Sequence, residues 1–146
     1  MRGRGAKVTA ALALPLALSA CFIPEAGRGR IGPPLDAAAF AALVDGRVMQ
    51  SLPPGGGPAN AWTESFLPGN RSCLSGENGS RPGIWRQNGQ LICHIYPDAP
   101  QRQFCNSYHR RGDELMAFTM GDMRRLPFVM QDWQGIAPDC GEAFRG

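Results

Sequence analysis

Few residues in this chain carry types and spacings suited to chemistry, so they come first. His94 and His109 are its two histidines. A metal site would want them together. If the strand containing Cys93 pairs with the one containing Cys105, the two histidines fall on opposite sheet faces. Ser107 and His109 share a face on one strand, which suggests a nucleophile and base, but no third partner is evident. No serine stands in Gly-x-Ser-x-Gly. Asp113, Glu114 and Asp122 fall where turns are expected, and turn chemistry explains them as well as a calcium or acid/base cluster does. Arg111-Gly112-Asp113 spells an adhesion tripeptide, again at an expected turn. Pro54-Gly55-Gly56-Gly57-Pro58 lacks the Lys-Ser/Thr ending and the following helix of a phosphate loop. Neither a cofactor nor a metal is expected. Trp85, His94, Tyr96 and Tyr108, with Phe104, form a candidate lining for a small apolar ligand pocket, a role that competes with plain core packing.

The five cysteines divide four to one. Cys73, Cys93, Cys105 and Cys140 make an even set compatible with two disulfides in an oxidising compartment. No Cys-x-x-Cys occurs, which removes redox-motif, zinc-knuckle and c-type haem readings. Cys21 stands apart, behind a basic start (Arg2, Arg4, Lys7) and an Ala/Leu run from Val8 to Leu18. That run is too short to cross a bilayer and has the layout of an export signal.

Leu18-Ser19-Ala20-Cys21 resembles the bacterial lipobox. The resemblance implies a signal peptide over residues 1–20 and diacylglyceryl modification of Cys21, with palmitate-type acyl chains as the membrane anchor. Two or three such chains hold firmly where one is marginal. Phe22 at the second mature position implies an outer-membrane destination facing the periplasm. Arg2, Arg4 and Lys7 account for the whole formal charge of +3, and without them twelve basic residues face twelve acidic ones. Arg110-Arg111 and Arg124-Arg125 fall far short of a nucleic-acid-binding stripe, so nucleic acid is not an expected partner.

These residues must be positioned by a small domain. A Gly/Pro/Arg-rich stretch over 21–34 reads as a flexible tether, leaving 35–146 to fold. Asp36 is a good N-cap for a short helix through Val44, with Leu35 and Phe40 as its hydrophobic staple and Gly46 closing it. After Arg47 come short runs divided by turn residues, as in an antiparallel meander of about six to eight strands, barrel- or sandwich-like. The predicted runs are Arg47–Leu52, Trp62–Leu67, Ser72–Ser75, Ile84–Gln87, Gln90–Tyr96, Gln103–Arg110, Leu115–Thr119 and Leu126–Met130. Asn88-Gly89 suits a two-residue type I′ turn that sets Trp85 opposite Ile92 and Ile84 opposite Cys93. A symmetric loop about Ala99 then sets Cys93 opposite Cys105 and His94 opposite Phe104. Cys93–Cys105 follows as one bridge, and Cys73–Cys140 by elimination. Alternation gives one face Trp85, Ile92, His94, Tyr96, Phe104 and Tyr108, and the other Ile84, Leu91, Cys93, Ile95, Cys105 and His109.

Gly83-Ile84-Trp85, Gly89-Gln90-Leu91-Ile92-Cys93 and Phe104-Cys105 together are similar to a G-x-W, G-x-L-x-C, second-Cys pattern of small uncharacterised proteobacterial periplasmic proteins. The resemblance spans about Gly46–Phe118 and implies the fold and disulfide more than an activity. The expected protein is a mainly β, membrane-anchored periplasmic lipoprotein, a non-catalytic binding or envelope-structural module with an envelope protein or polymer as a possible partner. The alternative is a small envelope hydrolase, or an inhibitor of one.

Overall fold

The computed structural model describes residues 29–76 and 78–144. The export signal and Cys21 lie outside the described residues. Helix α1 (Ala37–Val44) is followed by eight strands: β1 (Val48–Leu52), β2 (Trp62–Leu67), β3 (Arg71–Gly76), β4 (Gly79–Asn88), β5 (Leu91–Ile95), β6 (Gln103–Arg111), β7 (Glu114–Thr119) and β8 (Phe128–Asp132). Each strand pairs antiparallel with the next, and β8 returns to β1 through Met49↔Asp132 to Leu52↔Val129. The meander is thus a closed barrel, an arrangement that leaves no open sheet edge.

The helix forms as its cap demands. Asp36 stays extended and its carboxylate accepts from Ala39 N at 2.8 Å. Gly46 takes φ +75° just beyond the last turn and donates to Phe66 O, while Ala37 N donates to Gln87 Oε1. These bonds seat α1 across the end of the barrel where the β2–β3, β4–β5 and β6–β7 turns lie. Phe40 and Val44 are fully buried. The Phe40 ring packs against Phe66, Trp85 and Tyr108 at centroid distances of 5.6, 5.1 and 4.4 Å. Ile92, Leu115, Met49 and Met130 complete this cluster, and Leu35 and Leu43 pack on its rim. The apolar face bearing Trp85, Ile92 and Tyr108 is therefore the inside of the barrel.

Both disulfides form, Cys93–Cys105 and Cys73–Cys140. Cys93 lies directly opposite Cys105, with Cα atoms 4.0 Å apart, as the symmetric loop requires. Cys73–Cys140 ties the C-terminal segment to the outer face of β3, where Ser65 Oγ also donates to Pro138 O.

Three expectations need correction. The β4–β5 turn is centred on Gly89-Gln90, so Asn88 faces Leu91, Trp85 faces His94 and Ile84 faces Ile95. Only Gly89 has positive φ (+60°), which fits a type II′ turn with glycine first, and a type I′ turn would need a second positive φ. The partners move by two residues, so each side chain keeps its face. Second, β4 begins at Gly79 and runs through Pro82-Gly83, which read as a loop. Trp85 N donates to Asn70 O, and alternation from that bond makes Pro82↔Cys73 a non-hydrogen-bonded pair. The nitrogen of Pro82 faces the side where β5 does not reach, so no ladder bond is lost. Third, the tether ends earlier than residue 34. Gly32 N donates to Arg110 O and Leu35 N to Tyr108 O, laying this segment along the part of β6 that β5 leaves unpaired.

Truncating Phe40 to alanine should lower stability by about 3–5 kcal/mol, the range for a large buried ring. Leu126, which is 75% exposed, should cost less than about 0.5 kcal/mol on the same change. Denaturant midpoints of the two variants check this contrast.

Candidate functional site

The Phe40 cluster fills only the helix end of the barrel. The other half is a cavity of about 540 Å³. It opens between the β1–β2, β5–β6 and β7–β8 loops. Trp62, Leu74, Phe128 and Met130 line its wall, and Arg81, Phe104, Thr119 and Met120 stand toward its mouth. Trp62 and Phe128 meet edge to face at 4.8 Å.

A row of buried polar groups lies where cavity meets packed core. Tyr96 Oη donates to Glu64 Oε1 at 2.9 Å. His94 Nδ1 lies 3.5 Å from the same oxygen. His94 Nε2 and Tyr108 Oη are 2.8 Å apart, and Asn106 Nδ2 donates to Tyr108 Oη at 3.4 Å. Glu64 and His94 are only 5% and 3% exposed. The Tyr108 hydroxyl thus links the Asn106 amide to the His94 ring, whose other nitrogen faces Glu64.

Burial alone would push the Glu64 carboxyl up. Attraction to the His94 ring, with polar contacts from His94, the Ser72 hydroxyl and Tyr96, more than offsets it, holding the group below its ordinary 4.5. Tyr96 is shifted up, first by burial and then by the Glu64 charge. Tyr108 is shifted up by burial. Glycine at position 83 makes room for this row, because a Cβ there would come within 2.7 Å of the Tyr96 ring. At the mouth Arg81 stacks over Tyr96 at 5.3 Å and donates to Asp98 at 2.8 Å.

Of the four expected pocket residues, His94, Tyr96 and Tyr108 line the cavity, while Trp85 does not. Trp85 belongs to the packed half, 1% exposed against Phe40, because α1 brings the Phe40 ring up beneath it. Ser107 and His109 are joined, Oγ to Nε2 at 3.0 Å, and the missing third partner is Gly32 O, 2.8 Å from His109 Nδ1. This pair lies on the outer face of β6 under the N-terminal segment, is buried, and lines no part of the cavity. It holds that segment in place. Asp113 and Glu114 pair with Arg110 and Arg111 at the β6–β7 turn, and Asp122 pairs with Arg124 in the β7–β8 loop at the opposite end. The three acids form no cluster.

Glu64 escaped the sequence reading. Its signal was present: alternation along Trp62-Thr63-Glu64-Ser65-Phe66 places an acid between two aromatics on one face. No family model matches this chain, and neither a curated protein nor a solved structure is similar to it.

The shifted groups set a pH dependence. The lowered Glu64 contributes stability that is present above its ordinary 4.5 and lost as pH falls through the folded value. The raised Tyr96 and Tyr108 contribute stability that is present below their ordinary 10.0 and lost as pH rises beyond it. Glu64→Gln should therefore flatten the acid limb of the stability–pH curve and only soften the alkaline limb, which burial of the two phenols still maintains. Denaturant midpoints across both ranges measure this.

Proposed function

We propose that the protein is a lipid-anchored envelope lipoprotein whose barrel is a non-catalytic binding module for a small, largely apolar ligand. The observation that carries this reading is the open half-barrel: about 540 Å³ of space with aromatic and aliphatic walls and a few convergent polar groups. Eight-stranded barrels either fill with side chains or hold one small ligand, and here Phe40 fills only one half. A hydrolase reading has less support. The Ser107–His109 pair is sealed away from the cavity, and the Glu64–His94–Tyr108 row offers only a phenol whose ionisation burial opposes.

The anchor fits the same geometry. Gly29 lies beside Gly112, at the helix-closed end. Seven residues separate it from Cys21, and the eight Cα–Cα steps reach at most roughly 29 Å. An acylated Cys21 would hold the closed end toward the membrane, with the cavity mouth facing away.

Two measurements check this reading. The mature chain should carry acyl mass on Cys21, and a Cys21→Ser variant should leave the membrane fraction; a variant that stays there contradicts the anchor. In dodecyl maltoside, calorimetric titration with 1-hexanol, corrected for micelles alone, should show saturable binding. The cavity-filling Ala117→Phe should weaken that binding about tenfold or more, and a wild-type protein that takes up no hexanol overturns the binding module.

A further inference from the structure

The cavity floor carries a charge that the protein itself leaves partly unanswered. Glu64 Oε1 accepts from Tyr96. Among the described residues no hydrogen bond reaches Oε2, and even the buried Ser72 hydroxyl nearby, which helps lower the carboxyl, closes none. The His94 ring lies 3.5 Å from Oε1, on that side of the carboxylate, and its Nδ1 makes no hydrogen bond. A buried carboxylate with an open oxygen is costly unless a donor or cation completes it. Arg81, the one arginine or lysine lining the cavity among the described residues, cannot supply that charge, because its guanidinium is turned to Asp98 at 2.8 Å. Around and above the carboxylate stand Tyr96, Tyr108, Trp62 and Phe128. Aromatic faces attract cations, most strongly where water is excluded.

We propose that the ligand is an amphiphilic organic amine, bound with its ammonium group on Glu64 and its apolar body along the Trp62–Phe128 wall. The proposal rests on the binding-module reading and deepens it by fixing the ligand's head group. The ammonium donates one N–H to Glu64 Oε2, a charge-assisted hydrogen bond of the stronger kind. Its apolar chain leads from the floor past Met130 toward the mouth. A carboxylate ligand would instead set two anions together on the floor, and like charges at close range repel strongly in a low-dielectric site.

Three chain-matched, water-soluble probes test the head group on the mature protein in dodecyl maltoside: hexylamine, 1-hexanol and hexanoate. At neutral pH hexylamine should bind about tenfold or more tighter than 1-hexanol, with hexanoate weakest. Glu64→Gln should abolish the amine preference, bringing hexylamine and 1-hexanol within about twofold of each other. Hexanol or hexanoate binding as tightly as hexylamine to the wild type overturns the proposal, and this ranking stands even if Glu64→Gln fails to fold. An amine preference that survives in a folded Glu64→Gln also overturns it. Binding of hexanol without amine preference sinks the head-group assignment alone, whereas the absence of binding by all three probes sinks the binding module with it.

Discussion

Phe40 decides what this barrel can be. A closed meander of eight strands has an interior just wide enough to be filled by side chains. Here one ring, delivered from a two-turn helix across the end, meets Phe66, Trp85 and Tyr108 and seals that end. The barrel thereby acquires a closed floor, and the other half can stay open. The placement follows from small local causes: an Asp36 cap, a run of alanines with high helix propensity, and a glycine at position 46 that turns the chain directly into β1. Without the plug the cavity would be a channel, and the polar groups above it would be wet.

That closure gives the buried polar row its meaning. Glu64, His94, Tyr96, Tyr108 and Asn106 come from β2, β5, β6 and the start of the β5–β6 loop, and they meet only because the sheet closes. A water-exposed Glu–Tyr contact would count for little. At 5% exposure the Glu64 carboxylate depends on its neighbours. Glycine at 83 belongs to the same construction, since any larger residue would displace the Tyr96 ring that supports the carboxylate. The disulfides act from outside the wall. Cys93–Cys105 clamps the two strands bearing His94 and Tyr108, and Cys73–Cys140 fixes the C-terminal segment over β3. Each adds stability on the order of 2–4 kcal/mol, which matters for a core this small.

Much of this was legible in the residues. Turn residues separated all eight strands, the Asp36 cap located the helix, and the loop about Ala99 gave the Cys93–Cys105 register. The inside face was identified as a set, with only its orientation open. What stayed hidden depends on long-range pairing. Barrel closure rests on β1 meeting β8, about eighty residues apart in sequence, and no local pattern announces it. Pro82 and Gly83 argued for a loop because their compatibility with β4 depends on which neighbouring strand is present at that level. Trp85 and Tyr108 look alike in an alternation pattern and both pack on Phe40, yet only Tyr108 also reaches the cavity. Glu64 was readable by alternation, but its importance lies in neighbours from β5 and beyond.

The most direct test of the account is a crystal structure of the mature barrel soaked with hexylamine. The account places the nitrogen within about 3 Å of Glu64 Oε2, with the chain running between Trp62 and Met130 toward the mouth. A nitrogen at the rim beside Asp98 with the chain pointing inward, or an amine bound outside the barrel, would contradict it.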